Sequence, residues 1–260
     1  MKLADAFAIG KNEVISLTGG GGKTNLMFAL AKELVSEGRQ VITTTTTKLI
    51  ETEPSLHGSP LVLLEEDEKK LVRLLPEKLA EYGHVTIAAG ALPGPGKLSG
   101  IGPETVDELA AKEVAILIVE ADGAQHRPVK APSDTEPVIP RSTTLVIPVT
   151  GMNALGARLV EENVFRPKIV SRITGIAIGG MLTEESIATL ITHELGIAKG
   201  SPPGARIIPL LNKIDTHNEF AGRSIARIIL GKKHPQIKKV ILANVQDADP
   251  VVAVIAGPGG

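Results

Sequence analysis

The sequence predicts an α/β fold: a three-layer, doubly wound domain with a mostly parallel sheet. β-branched apolar runs alternate with helical patterns along most of the 260 residues. Runs such as VAILIVEA and KKVILA are apolar almost throughout, which is typical of strands buried on both faces of a parallel sheet. Sheets of this kind bind ligands at the carboxyl ends of their strands, so the functional residues are expected there.

The individual elements follow from this alternation. The apolar runs predict strands at Val14–Thr18, Gln40–Thr46, His84–Ala88, Val114–Glu120, Thr143–Val149, Arg206–Asn212 and Lys239–Ala243. Between them, the helical patterns predict helices near Lys23–Ser36, Asp67–Tyr82, Glu104–Lys112, Glu184–Leu195 and Asn218–Leu230.

Composition excludes several classes of protein. Apolar residues make up 43% of the chain, charged residues 22%, and the net charge is −1, so a nucleic-acid partner is not expected. Because cysteine is absent, the chain has no disulfide, thiolate metal site or cysteine nucleophile of its own. The first residues lack the apolar core of a signal peptide, and no apolar run is long enough to span a membrane. We therefore expect a cytoplasmic protein.

The segment VISLTGGGGKTNLMFAL places four glycines and Lys-Thr between the first strand and the first long helix. Glycines let backbone amides turn inward, and together with a helix N-terminus these amides form a cradle for phosphate. Leu17 stands where the G-x-x-x-x-G-K-[ST] motif has its first glycine, so we expect a tighter turn that begins at Gly19. The residues predicted to bind nucleotide here are Gly19, Gly20, Gly21, Gly22, Lys23, Thr24 and Asn25.

This loop predicts a P-loop NTPase that binds GTP or ATP with Mg²⁺, Lys23 reaching the phosphates and the Thr24 hydroxyl reaching the metal. The chain is then one nucleotide-binding domain over residues 1–260, with loop insertions near 90–102 and 124–141 that are rich in Gly and Pro. The second lysine of K-G-G-x-G-K-T loops is replaced by Thr18, which argues against ATPases that share this lysine across a dimer. Whether the chain forms a homodimer stays open.

Acidic residues follow the strongest predicted strand, as Glu120-Ala121-Asp122-Gly123. A P-loop protein needs a carboxylate at the end of a neighbouring strand to hold Mg²⁺, directly or through water. Glu120 and Asp122 point the same way if the strand continues. Either acid is a candidate for the metal, with Asp122 slightly preferred, and Gly123 is expected to place an amide near the γ-phosphate.

A candidate for base recognition lies in RIIPLLNKID, an apolar strand that ends in Asn-Lys-x-Asp. Asp215 can accept two hydrogen bonds from guanine, whereas adenine lacks both donors, so GTP is favoured over ATP. Asn212 is expected to brace the loop, and Lys213 to cover the base with its aliphatic stem. Ala243, at the end of the next apolar strand, is expected to offer a backbone N–H to the base. A lysine–aspartate turn without function is the alternative.

Three further groups of polar residues bear on the chemistry of the chain. Threonines end the second strand, and Thr46, Thr47 or Lys48 is expected to sense the γ-phosphate or Mg²⁺, although threonine also simply favours strands. The six histidines show no metal-binding spacing, so a metal-delivery site is not expected. Arg127 and Lys130 follow the acidic motif and are candidates for binding an anionic ligand, with a solvated loop as the alternative.

Taken together, the motifs SLTGGGGKTNLM, VITTTTTK, VEADGAQHRPVKAPSDTEPVIP, PVTGMNALG, NVFRP and LLNKID resemble the YqeC family. The resemblance runs from about residue 12 to the end of the chain. It implies an accessory protein of selenium-dependent molybdenum hydroxylases, acting in selenium cofactor preparation or insertion, with the hydroxylase or its cofactor as client. Gln125-His126 and Phe165 depart from the pattern expected for the family.

These observations favour a slow, GTPase-like P-loop nucleoside triphosphatase of the metallocentre-assembly type. The catalytic candidates are Lys23, Glu120, Asp122 and Thr46, and the Mg²⁺ candidates are Thr24, Asp122 and Glu120. Two alternatives stay open. One is a small-molecule kinase in which Arg127 and Lys130 hold an acidic acceptor; the other is a nucleotide-gated chaperone or scaffold that hydrolyses nothing.

Overall fold

The computed structural model describes residues 1–47, 50–51, 58–93 and 97–257. Its strands are β1 Val14–Gly19, β2 Val41–Thr45, β3 Ile50–Glu51, β4 Val62–Leu64, β5 His84–Ala88, β6 Gly90–Ala91, β7 Lys97–Ser99, β8 Ile116–Glu120, β9 Val129–Lys130, β10 Leu145–Gly151, β11 Val164–Phe165, β12 Arg206–Ile207, β13 Leu210–Asn212, β14 Lys239–Ala243 and β15 Val251–Ala256. Its α-helices are α1 Leu3–Phe7, α2 Lys23–Ser36, α3 Glu68–Tyr82, α4 Pro103–Ala110, α5 Pro167–Thr174, α6 Glu184–Thr192 and α7 Glu219–Gly231.

One large sheet runs through the molecule in the order β15-β14-β13-β10-β1-β8-β2-β5-β4, with β12 also paired to β10. Its strand pairs are parallel except β14 with β15, which is antiparallel. The predicted α/β class with a mostly parallel sheet is therefore confirmed. The glycine loop follows β1, near the middle of the sheet, so its ligands can come from strands on either side.

Helices cover both faces of this sheet. Along β1 and β8, alternate side chains face opposite layers: Ile15 and Ile118 pack with α1 and α2, whereas Val14 and Leu117 pack with α3 and α4. Farther along the sheet, α5, α6 and α7 cover β10, β13 and β14 on the face opposite α2. Burial on both faces explains why these strands are apolar almost throughout. No helix in the described ranges has both the length and the apolar character needed to cross a membrane.

Most predicted boundaries agree with the structure, and the differences have local causes. The predictions for α2, β5 and β14 match in full. The run 206–212 is two short strands, β12 and β13, separated at Ile208-Pro209, because proline has no N–H to give to the ladder. The sequence did not predict α5, whose first residue is Pro167, a residue favoured at the first position of a helix. It also missed the antiparallel edge strand β15.

The two segments predicted as loop insertions contain short strands. In 90–102, β6 pairs with β7, and β7 pairs with β3, in a small antiparallel sheet. In 124–141, β9 runs parallel to β11. Two of these short strands, β7 and β9, thus have partners from distant parts of the chain, β3 and β11.

Candidate functional site

The glycine loop makes a sharp turn between β1 and α2. Gly19, Gly21 and Gly22 have φ values of +87°, +87° and +124°, a region that other residues rarely adopt. A Cβ on Gly21 would lie 2.3 Å from the Gly151 nitrogen, and one on Gly22 would lie 2.5 Å from Asn212 Nδ2. Leu17 is buried within β1, so the turn begins at Gly19. The missing first glycine therefore falls in the strand and not in the turn.

The backbone amides of this loop fall into two groups. Those of Gly19, Gly20 and Gly21 already donate to protein acceptors: Asp122 Oδ2 at 3.0 Å, the Val149 carbonyl at 2.9 Å and the Arg127 carbonyl at 3.1 Å. The next four amides, from Gly22 to Asn25, have no acceptor among the described residues. All four residues line the same cleft. A run of open N–H groups at a helix N-terminus, with its positive dipole, is suited to an anion.

A line of alternating charges lies beside these amides. Its members, which we call the charge chain, are in order Glu120, Lys23, Asp122, Lys130, Glu136 and Arg166. Lys23 Nζ lies 3.5 Å from Glu120 Oε1 and 3.2 Å from Asp122 Oδ1. Lys130 Nζ lies 3.1 Å from Asp122 Oδ2 and 2.7 Å from Glu136 Oε2. Three basic and three acidic groups alternate, so the charge chain is formally neutral.

The two candidate acids for Mg²⁺ occupy different environments. Glu120 lines the cleft, and its Oε2 accepts a hydrogen bond of 3.0 Å from the Thr24 hydroxyl. Asp122 is fully buried, and its Oδ2 accepts from the Gly19 amide and contacts Lys130. Its Oδ1 makes no hydrogen bond with described groups, although it lies within ion-pair distance of Lys23. Asp122 thus binds the first residue of the glycine loop from within the core, whereas Glu120 lines the cleft.

Burial and charge shift the ionisation of this pair. Burial lowers the pKa of Lys23, but the charges of Asp122 and Glu120 outweigh it, so the net pKa is raised. Burial also raises the pKa of the Glu120 carboxyl, and this effect exceeds the attraction of Lys23. Of the two carboxylates that keep Lys23 protonated, Asp122 has the larger effect. A cation bound near Glu120 would replace the solvation that its carboxyl loses on burial, and would so lower the cost of ionising it.

The threonines that end β2 are placed at the side of the cleft. The Thr46 hydroxyl donates to the Val138 carbonyl at 2.6 Å, so in this arrangement it anchors the proline-rich segment instead of facing a phosphate. Thr45 donates to the Glu120 carbonyl at 2.8 Å, and Thr47 lines the cleft. Lys48, the third candidate, lies outside the described residues. The catalytic role predicted for Thr46 stays a prediction without direct contact to the cleft.

A second wall of the cleft, which we call the arginine wall, consists of Gln125, His126, Arg127, Phe165 and Arg166. The Arg166 guanidinium lies 4.5 Å from the Phe165 ring centroid and pairs with Glu136. Two hydrogen bonds to carbonyl oxygens hold the Arg127 guanidinium.

Lys130, predicted with Arg127 to hold an anion, is instead fully buried and donates to the Gly123 carbonyl at 2.7 Å. Gly123 itself lines the cleft, as expected. Sequence reasoning missed Glu136, Phe165 and Arg166 as site residues. The only available signals were the acid in the proline-rich block and the helix start at Arg166-Pro167.

The predicted base-recognition residues are only partly brought together. Asn212 is buried, and its Nδ2 donates to the Gly21 carbonyl at 2.8 Å, so it braces the glycine loop in the manner expected. Lys213 lines the cleft. Asp215 is exposed and its Oδ1 accepts the amides of His217 and Asn218 at the start of α7. Ala243 is fully buried outside the cleft lining, and the neighbouring residue that reaches the cleft is Gln246.

The cleft has a volume of about 740 Å³. Four basic and two acidic side chains line it, for a formal net charge of +2 with histidine neutral: Lys23, Arg127, Arg166 and Lys213 against Glu120 and Glu136. No group of three or more His, Asp or Glu side chains in the described ranges could hold a metal on its own. The cleft therefore suits a polyanion that brings oxygen ligands of its own to a metal.

Comparison with known proteins agrees with the motifs. The family model described as YqeC protein matches residues 15–168. A protein of Escherichia coli (strain K12) with the name "Uncharacterized protein YqeC" is 32% identical to this chain over 241 residues. That match covers 92% of this chain and 90% of the relative. The chain belongs to the YqeC family.

Proposed function

We propose that this member of the YqeC family binds a nucleoside triphosphate with Mg²⁺, its phosphates at the N-terminus of α2. One observation carries the proposal: four successive residues that line the cleft, Gly22 to Asn25, have backbone amides without an acceptor among the described residues. Helix starts usually satisfy such amides with a side-chain cap, but Gly22 occupies the cap position and has no side chain. An anion with several oxygens is the ligand that would satisfy them.

Lys23 would change partners when the phosphates bind. Its Nζ now contacts the Gly19 carbonyl at 2.6 Å and the two carboxylates. A terminal phosphate would attract it away from Glu120, which would free that carboxylate for a cation. Asp122 would keep Lys130 and the Gly19 amide as partners and so would not be left uncompensated.

The residues present fit Mg²⁺ at Thr24 and Glu120. Both offer oxygen atoms on the cleft, they already lie within 3.0 Å of each other, and phosphate oxygens would complete the ligand set. When bound, Mg²⁺ would neutralise charge that develops on the transferring phosphoryl group. Asp122 fits this role less well, because its carboxylate is enclosed and bound from two sides. This reverses the slight preference for Asp122 from sequence.

We further propose that the triphosphate is hydrolysed slowly, with the amides of residues 22–25 and Lys23 stabilising the charge on the phosphates. We keep GTP as the preferred nucleotide on the Asn-Lys-x-Asp motif, of which Lys213 lines the cleft. The role as an accessory protein in maturation of a selenium-dependent molybdenum hydroxylase rests on the family resemblance alone. Nucleotide that stays intact after long incubation would favour the nucleotide-gated scaffold over the hydrolase.

Competitive equilibrium titration tests the proposal. Labelled GTP and ATP would be titrated with and without Mg²⁺, and unlabelled GTP, ATP and non-hydrolysable analogues would compete for the protein. We expect saturable, Mg²⁺-dependent binding that Lys23→Ala and Thr24→Val each weaken by about tenfold or more, the scale of a lost charge-assisted contact. Lys32→Ala, an exposed lysine on the same helix, is the matched control and should bind normally. Absent binding, or normal binding by folded Thr24→Val and Lys23→Ala, would overturn the proposal.

A second pair of variants tests the assignment of the metal ligand. Glu120→Gln should lose most of the Mg²⁺ dependence of nucleotide binding while keeping the fold. Asp122→Asn should instead lower the free energy of unfolding, because it weakens the tie between the glycine loop and Lys130. If Asp122→Asn removes the Mg²⁺ dependence and Glu120→Gln does not, the assignment is wrong although nucleotide binding stands.

A further inference from the structure

We infer that the arginine wall is a binding subsite for a second small molecule, one that carries a carboxylate or phosphate group. The inference deepens the proposed function and rests on it for the identity of the neighbouring ligand. The wall and the phosphate-binding amides line one cleft, and the Arg127 carbonyl accepts the Gly21 amide at 3.1 Å. A ligand on the wall would therefore lie next to the triphosphate.

Arg127 is the first reason. Its Nε donates to the Glu161 carbonyl at 2.7 Å and its Nη1 to the Gln125 carbonyl at 3.2 Å. These bonds fix the guanidinium plane without neutralising its charge. In the part of the chain that the structure describes, no carboxylate lies within ion-pair distance of Arg127, and its Nη2 has no acceptor. A pre-oriented arginine with open donors on a cleft is suited to an oxyanion.

Arg166 is the second. Its Nη1 binds Glu136 and, at 3.3 Å, the Ala131 carbonyl, while the Phe165 ring covers one face of the guanidinium. Within the described ranges, Nε and Nη2 have no acceptor. Glu136 is shared between Arg166 and Lys130, whose charges lower the pKa of its carboxyl against the effect of burial. Glu136 is thus shared between two cations, and the open Nε and Nη2 donors of Arg166 are placed to bind an incoming anion.

Three of the eight described non-glycine residues with positive φ lie on this wall. Gln125, His126 and Arg166 have φ values of +46°, +60° and +62°, although none is glycine. Gln125 and His126 are the two central residues of a turn that is closed by a 2.9 Å hydrogen bond from the Arg127 amide to the Ala124 carbonyl. Turns with positive φ at both central residues usually have Asn-Gly there. Such strain, of about 1–3 kcal/mol per residue, persists mainly at functional sites. Here it determines where the Arg127 side chain leaves the backbone.

The test uses calorimetric titration of the full chain with inorganic phosphate and, in a separate arm, with succinate. Both are titrated in the presence of saturating Mg²⁺ and a non-hydrolysable triphosphate, so that the α2 site is already occupied. We expect one of these probes to bind saturably, and Arg127→Gln to weaken it about tenfold, as for loss of a charge-assisted pair. The arm that binds distinguishes a phosphate group from a carboxylate. Arg127→Lys, which keeps the charge, should recover part of the affinity.

Arg158→Gln is the matched control, since that guanidinium also donates to a carbonyl, of Gly179, but lies outside the cleft lining. If neither probe binds beside the triphosphate, or if Arg127→Gln binds as tightly as the Arg158→Gln control, the inference is overturned. If phosphate binds only when the analogue is absent, Arg127 serves the triphosphate itself and no second subsite exists. Should the analogue fail to bind at all, the proposed function fails, and phosphate binding lost in Arg127→Gln but kept in Lys23→Ala would still support the subsite.

Discussion

The two ends of the cleft differ in how much of a binding site the folded chain completes by itself. At the phosphate end, open amides, a lysine, a hydroxyl and a carboxylate converge on one space. At the base end, Asn212 is occupied in bracing the glycine loop, Asp215 binds the amides of its own turn, and Ala243 is buried. The proposed phosphate binding would therefore use groups that the core of the fold holds in place, whereas the proposed base recognition would depend on an exposed turn.

Some parts of the cleft could be predicted from the sequence and others could not. Local patterns determine the glycine turn, the start of α2 and the Asn212 side chain at the end of β13, and each lies where the sequence predicted it. Arg166 follows β11 and reaches Glu136 because β9 and β11 pair across more than thirty residues, which no local pattern reports. The change of preferred metal ligand from Asp122 to Glu120 likewise depends on burial, since alternation along a strand treats the two acids alike.

The largest effect that would separate the two ends is expected from Lys130→Met. Lys130 is fully buried between Asp122 and Glu136, so its removal leaves the three carboxylates of the charge chain with only two cations. We expect the free energy of unfolding to fall by about 3–5 kcal/mol, measured by urea denaturation. Lys232→Met removes an ion pair with Glu185 that is largely exposed and should cost about 1 kcal/mol or less. Equal losses would show that the charge chain does not stabilise the phosphate end.

Gly21→Ala should be next in size. The added Cβ would meet the Gly151 backbone at 2.3 Å in a residue with φ of +87°, so overpacking adds to backbone strain. We expect a loss of about 3 kcal/mol in the free energy of unfolding. The matched control is Gly200→Ala, which has φ of +75° but no atom within 4 Å of the new Cβ. It should show only the cost of a left-handed residue, about 1–2 kcal/mol, and a similar loss at both positions would contradict the tight packing of the loop.

A smaller, pH-dependent effect is expected at Glu136. The folded-state pKa of this carboxyl lies below its ordinary value of 4.5, since the hydrogen bonds and charges of Arg166 and Lys130 exceed the effect of burial. The stability that its ionised form contributes is therefore fully present above pH 4.5 and is lost as the pH falls below it, through the lowered folded pKa. The difference in unfolding free energy between the parent protein and Glu136→Gln should shrink in that window. A difference that grows on acidification would have the wrong sign.

At the base end, the expected change is the smallest and concerns selectivity. Asp215→Asn keeps an oxygen for the amides of His217 and Asn218 but removes the charge that would accept from guanine. We expect GTP to bind about tenfold more weakly with ATP unchanged, measured by competition. Asp247→Asn, at a neighbouring exposed turn, should leave both affinities unchanged. An unaltered preference in Asp215→Asn would remove Asp215 from base recognition and leave the phosphate end intact.

Amide NMR can show whether phosphates bind the open amides at the start of α2. A non-hydrolysable triphosphate and Mg²⁺ would be titrated into ¹⁵N-labelled protein while the backbone amide shifts are followed. The largest changes should fall on Gly22, Lys23, Thr24 and Asn25, with smaller ones at Gly20 and Gly21, whose amides already have protein acceptors. Saturable binding that leaves the amides of residues 22–25 unshifted, or no binding at all, would contradict the account.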